Sequence, residues 1–328
     1  MAHLIDETNG AAIAYVGDTP WHGLGQKLSP DADLETWKRE AKLEWTVKEG
    51  KVYLERGADP ITCVQDVVEF PQRKALYRSD NKAPLSIVST GFNIVQPGEV
   101  LEFFRKLVTE HGFKLETAGA LRGGRKIWAL ARIAEEIKVL DDIVLPYALF
   151  STAYDATMAT WARLCATRVV CANTMAYAEN ESGKIVRVPH NATFNADDVR
   201  LQLGLALNSW EKFKVRALKM AEHEIKDPEA EVFLRELLGV PSDETPRGFA
   251  KILELFKGAQ AGANKKSTRQ TLWGVVQAVA EHVDHNPYAR SDDTRLDSAW
   301  FGQGNNVKVK AFQKALAVIE PEEEKIAA

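Results

Sequence analysis

Cysteine is scarce in this chain: three in 328 residues, Cys63, Cys165 and Cys171. An odd, sparse set builds no disulfide framework, so the fold must rest on packing, and a reducing cytoplasm is the expected compartment. Long apolar runs are missing too. Nothing approaches the roughly twenty consecutive apolar residues of a membrane helix, so no membrane partner is expected. The opening MAHLIDETNG, with acids and no apolar centre, does not read as a secretory signal. There is no phosphate loop, no GxGxxG after a strand, no GxSxG elbow, no kinase set, and no CxxC or HExxH pair. These gaps set aside the commonest nucleotide-dependent, hydrolytic and zinc enzymes, and no cofactor is expected. Repeats and low-complexity segments are absent as well.

What is present is an ordinary globular composition, 45% apolar and 27% charged, with a formal net charge of −4. Against that mild acidity one region is basic. Residues 113–133 and 159–170 carry seven Lys or Arg and one acid, Glu116. The stretch GFKLETAGALRGGRKIWALARI alternates at period two, turns at Arg122-Gly123-Gly124-Arg125 and returns through Lys126–Ile133. Gly-Gly between two alternating runs marks a hairpin, because a tight turn needs positive φ. Alternation then places Lys126, Trp128, Leu130 and Arg132 on one face, and Trp161, Arg163, Cys165 and Thr167 on one face of a later strand.

The rest of the chain organises around this meander. A helix is predicted from Leu34 to Leu43 with Asp33 as N-cap. A second hairpin is predicted about Glu49-Gly50-Lys51, and a strand over Ser86–Gln96. Pro97 opens a helix to about His111, since its fixed φ suits a first turn. Cys171–Glu179 reads as a helix closing the meander, and Lys184–Val188 as a last strand. Beyond about residue 195, apolar residues recur at helical spacing in segments near 199–225, 229–238, 245–256, 271–282 and 308–319. The fold class expected is α+β: an antiparallel sheet packed by helices over 1–195, followed by a mainly helical region over 196–328.

Several motifs in order, PWHGLG, TAGALRGGRKIWALARI, TRVVCANT, PHNAT, TLWGVVQAVAEHVDH and SAWFGQG, resemble the phage/plasmid-like proteins of the domain-of-unknown-function family 932. That resemblance implies a mobile element in a bacterial host cell and leaves the biochemical role open. The element order, a strand and helix followed by a basic, aromatic meander, is similar to the core of single-strand annealing proteins, the phage Red-beta/RecT group and the eukaryotic Rad mediators. This second resemblance implies a groove for a nucleic-acid backbone and assembly of subunits.

The function expected is therefore single-stranded DNA binding, with strand annealing in recombination or replication of the element. Arg122, Arg125, Lys126, Arg132, Arg163 and Arg168 would neutralise phosphates, and Trp128 and Trp161 would meet bases, the two ingredients of a single-strand platform. Asn173 and Thr174, at an expected helix start, would add backbone contacts. The plainer reading stands beside it: a sheet face whose tryptophans pack under a neighbouring helix. Self-assembly and contact with replication or recombination proteins follow as partner expectations.

Other features read more plainly. Cys171 is a small core residue rather than a thiolate, and Trp21 in PWHGLG plugs the fold. The Lys265, Lys266, Arg269 cluster would add a second DNA contact. The alternatives are a protein-interaction factor that counters host defence or regulates the element, in keeping with the acidic tail, and a metal-dependent nuclease around His282, Asp284 and His285.

Overall fold

The structure, a computed structural model, describes residues 11–17, 25–58, 65–111, 113–133, 135–168, 174–176, 186–192, 195, 197–199, 201, 208–285 and 298–320. The chain begins with β1 (Ile13–Tyr15), β2 (Gln26–Lys27) and α1 (Leu34–Glu40). Asp33 caps α1 by accepting the Thr36 amide at 2.8 Å. Next come β3 (Val47–Ala58), β4 (Gln65–Arg78), β5 (Pro84–Ser89) and α2 (Pro97–His111). The meander follows as β6 (Lys114–Leu121), β7 (Lys126–Arg132), β8 (Ile137–Val139), β9 (Asp142–Ala153), β10 (Thr160–Arg168), β11 (Thr174–Ala176) and β12 (Val186–Val188). Five helices complete the described chain: α3 (Asn208–Glu222), α4 (Asp227–Leu238), α5 (Arg247–Glu254), α6 (Leu272–Asp284) and α7 (Gln303–Ile319). Antiparallel sheets with a helical C-terminal region make this an α+β fold, as the periodicity predicts.

The main sheet has nine strands, ordered β11-β10-β9-β7-β6-β1-β2, with β12 also on β10 and β8 also on β9. The β1–β2 pair is parallel and the other pairs are antiparallel. A separate three-stranded sheet runs β3-β4-β5. The two meet at Tyr154, just after β9: its carbonyl accepts from Ser86 Oγ of β5, and its hydroxyl donates to the Val95 carbonyl ahead of α2 at 2.8 Å.

One face of the main sheet, with Ile127, Ala129, Ala131, Ala148, Phe150 and Leu164, packs on α2. Phe103 lies 4.6 Å from Phe150, ring to ring, and Phe104 completes the cluster. The opposite face packs on the C-terminal helices. Among these, α6 is buried from Leu272 to Ala280. Its Thr271 cap accepts the Gly274 amide at 3.0 Å, and a Cβ at Gly274 would sit 1.9 Å from the Thr268 carbonyl oxygen. A single connected apolar core runs through both halves of the chain.

Three local expectations are corrected. Gly50 is no turn: β3 runs through it, paired to Ala75, and Gly50 lacks the positive φ that a tight turn needs. The strand before α2 ends at Ser89 rather than Gln96. Thr174–Ala176 is a strand and not a helix, paired antiparallel to β10 through Thr167↔Thr174 and Cys165↔Ala176. The edge of β10 offers unpaired backbone groups there, and sheet pairing outweighs local helix preference.

Candidate nucleic-acid interface

Register decides which expected residues meet. Trp128 and Trp161 both pair with Ser151 of β9, Leu130 and Arg163 both pair with Leu149, and Arg132 and Cys165 both pair with Tyr147. Residues aligned across antiparallel neighbours share a face, so the meander does bring Lys126, Trp128, Arg132, Trp161 and Arg163 onto one surface.

That surface is not open. A helical turn at 298–301 and α7 lie over it. The Trp300 ring meets Trp128 edge-on at 5.0 Å, and Phe301 lies 5.5 Å from Trp161. The Lys126 ammonium sits 5.4 Å from the Phe301 ring centre, and Arg163 donates to the Trp300 carbonyl while its guanidinium covers Trp161 at 4.8 Å. Trp128 is 2% exposed, and Lys126, Trp161 and Arg163 are likewise buried. In this arrangement no base can reach either tryptophan. The physical reason is plain: two large aromatic faces cost free energy when left in water, and the chain supplies its own aromatic pair to cover them.

The covered face encloses a polar cluster that reading the strands alone missed. Lys308 on α7 pairs with Asp284 at 2.6 Å, both nearly sealed from solvent. Burial lowers the Lys308 ammonium, with Asp284 pulling against that trend. Burial likewise brings Arg163 down to about 10, and pushes the neighbouring Cys165 thiol up to about 11, so it stays protonated at neutral pH. Among the described residues, Arg163 Nε, Trp128 Nε1 and Asn305 Oδ1 are buried without a hydrogen-bond partner. The sequence signal for the cover was the adjacent pair Trp300-Phe301, 172 residues after Trp128.

The β6–β7 turn is different. Arg122, Gly123 and Gly124 have φ of 54°, 65° and 92°, the left-handed region that the Gly-Gly pair predicts. Gly124 is required, since a Cβ would stand 2.7 Å from the Trp45 ring. The buried Arg78 lies over Trp45 at 4.4 Å, pairs with Asp80 at 2.6 Å and donates to the Gly123 carbonyl at 3.4 Å. The turn is thus clamped to the smaller sheet by two residues, Arg78 and Trp45, that lie outside the basic stretch. At its tip Gly123 faces open space and Arg125 is exposed, while Arg122 is half-buried.

The remaining expected residues divide. Arg132 is half-buried at the far end of β7. Arg168 ends β10 and Thr174 begins β11, both strand positions, so the helix-start argument for Thr174 has no helix beneath it. Asn173, Cys63, Cys171 and Trp21 lie outside the described residues. Lys265 is committed within the chain, donating to the Asp141 carbonyl at 2.7 Å and lying 3.5 Å from Asp142. Lys266 and Arg269 are exposed. In the HVDH segment Asp284 is bound to Lys308, and His282 is lowered by burial and then by Lys251. Among the described residues no three His, Cys, Asp or Glu side chains gather as metal ligands, and no helix is long and apolar enough to cross a membrane.

No curated protein and no solved structure matches the chain. A family model does match, that of the Domain of unknown function (DUF932), over residues 84–300, from the start of β5 to the Trp300 that covers Trp128. The matched stretch holds the whole meander and the first residues of its cover, and on that match the chain belongs to the DUF932 family.

Proposed function

We propose that the protein binds single-stranded DNA through its sugar–phosphate backbone at the β6–β7 turn, in the service of a phage- or plasmid-type mobile element. The observation that carries this reading is the turn itself: an exposed Arg125 and a half-buried Arg122 on either side of the open Gly123, with the turn held by Arg78 and Trp45. Arginine forks suit phosphate oxygens. With Trp128 and Trp161 covered, contact is with charge alone, which leaves base edges free to pair and is compatible with annealing. Binding of this kind is indifferent to sequence and steep in salt.

Fluorescence anisotropy with labelled single-stranded and duplex oligonucleotides across a salt series tests the proposal. The Arg122→Ala/Arg125→Ala variant should bind more weakly, with its log–log salt slope flatter by about two. Arg163→Met, which alters only the covered face, should bind as the unaltered chain does. Absence of low-salt binding by the unaltered chain, or identical slopes for the double variant, would overturn it.

A second reading, a protein-interaction factor, draws on the bare apolar strands β3 and β4. Tyr53, Leu54, Val67, Val68 and Phe70 are all exposed there. A folded chain that binds no single strand at low salt would favour it.

A further inference from the structure

We propose that the outer edge of β3 pairs antiparallel with β3 of a second copy of this chain, about a two-fold axis at Tyr53. The inference stands on the smaller sheet and does not depend on DNA binding. Among the described residues β3 pairs only with β4, so beyond Val47, whose N–H and carbonyl are held by the Gln96 side chain, one side of the strand presents its backbone groups outward. Such edges template pairing with another chain unless they are short, kinked or guarded by charge. Here the guards stand at the ends: register shifts fall at Lys51/Tyr53 and Glu55/Ala58, and between them Tyr53↔Glu69, Leu54↔Val68 and Glu55↔Val67 form a regular ladder, with the Lys51 ammonium drawn across the hairpin to Glu69 at 2.9 Å.

One face of this hairpin is apolar, the other carries Tyr53 and Val67 among charges, and no described element covers either. Tyr53 and Leu54 are each 55% exposed and Phe70 is 44% exposed. Alternation puts Val52, Leu54, Val68 and Phe70 on one face, and Lys51, Tyr53, Glu55 and Val67 on the other. A monomer gains nothing from such a surface, and exposed apolar patches mark interfaces.

The sequence of β3 selects a second copy as the occupant, because it is complementary to itself in one register. Centred on Tyr53, antiparallel pairing sets Lys51 opposite Glu55 and Val52 opposite Leu54, each twice by symmetry. The apolar faces of the two hairpins then join into one four-stranded surface. Other centres fail. Gly50 at the axis would set Glu49 against Lys51 but needs the edge at Val47, whose N–H and carbonyl are held by the Gln96 side chain. Lys51 or Glu55 at the axis would face its own like charge, Val52 would oppose Glu49 to Glu55, and Leu54 would set Tyr53 against Glu55.

Sedimentation velocity on the full chain over a concentration series is the test, with charge reversals at the two partners. The unaltered chain should dimerise. Lys51→Glu and Glu55→Lys should each weaken association about tenfold, since each creates two like-charge pairs. The Lys51→Glu/Glu55→Lys double variant should restore it, which a folding defect would not do. Leu54→Asp should leave a folded monomer by circular dichroism.

A second measurement fixes the register. Antiparallel partners lie about 4.5–5.5 Å apart between Cα atoms, within bridging range. Tyr53→Cys should therefore give an oxidised dimer, while Arg56→Cys should give none beyond the unaltered chain. A monomeric unaltered chain at about 100 µM, where even a micromolar dimer would be populated, would overturn the proposal. So would a double variant as dissociated as the singles, or equal cross-linking at both positions.

Discussion

The molecule holds two sheets with similar raw material and opposite fates. The main sheet turns Lys126, Trp128, Trp161 and Arg163 to one side and buries them beneath Trp300, Phe301 and α7. The smaller sheet turns Tyr53, Leu54, Val68 and Phe70 outward with no covering element among the described residues. Aromatic and charged residues on alternate positions therefore do not define a binding surface by themselves. What decides is whether another part of the chain brings a complementary face. On the main sheet it does, and the basic, aromatic stripe becomes interior structure. Its turn, with Arg125, stays exposed, and Arg132 at the far end is half-buried.

The sharpest break of this contrast is Trp128→Ala. If the face is core, the substitution costs about 3–5 kcal/mol in equilibrium urea unfolding, the range for deleting a buried aromatic. A cost near zero would mean the face is open in solution. Asp284→Asn comes next. It leaves the buried Lys308 without its carboxylate, and about 3 kcal/mol should be lost. Adding Lys308→Met to that variant should recover much of the loss, because it removes the stranded charge.

Asp141→Asn should cost about 1 kcal/mol, since its carboxylate accepts the Lys266 and Ser267 amides and joins the meander to the C-terminal region. This contribution depends on pH with a definite sign. Partial burial raises the Asp141 carboxyl, but the Ser267 and Lys266 amides overcome that and hold it below its ordinary 3.8. Its stabilisation is complete above that ordinary value and is lost as the pH falls through the lower, folded one. The variant should lack that part of the acid unfolding slope. Smallest of all, Phe70→Ser in dilute protein should change stability by less than about 0.5 kcal/mol, because an exposed side chain has little packing to lose.

The meander strands β6, β7, β9 and β10 and helix α2 were legible because their signals are local, whereas β1, β2 and β4 were not read. Alternation through Lys126–Arg132, Gly-Gly at 123–124 and Pro97 each act within a few residues. So was the shared face of Trp128 and Trp161, given one strand between them. The cover was not legible, because alternation separates two faces without saying what lies on either. The Trp300-Phe301 pair is remote in sequence, and its helical turn carries no period of its own. The clamp on the β6–β7 turn escaped for the same reason: Arg78 ends β4 of the other sheet and Trp45 lies just ahead of β3. Thr174–Ala176 misled for a different one, since a three-residue strand is set by the neighbour it pairs with rather than by its own composition.

The distance along the chain between the meander and its cover also has a meaning in time. During synthesis Arg163, the last of the basic and aromatic side chains on that face, is in place 137 residues before Trp300. At ribosomal speeds that interval is roughly seven to thirty seconds. Through it the nascent chain displays Trp128, Trp161, Lys126 and Arg163 together on an unfinished surface, so the newborn protein presents to the cell a basic aromatic platform that the mature fold withdraws.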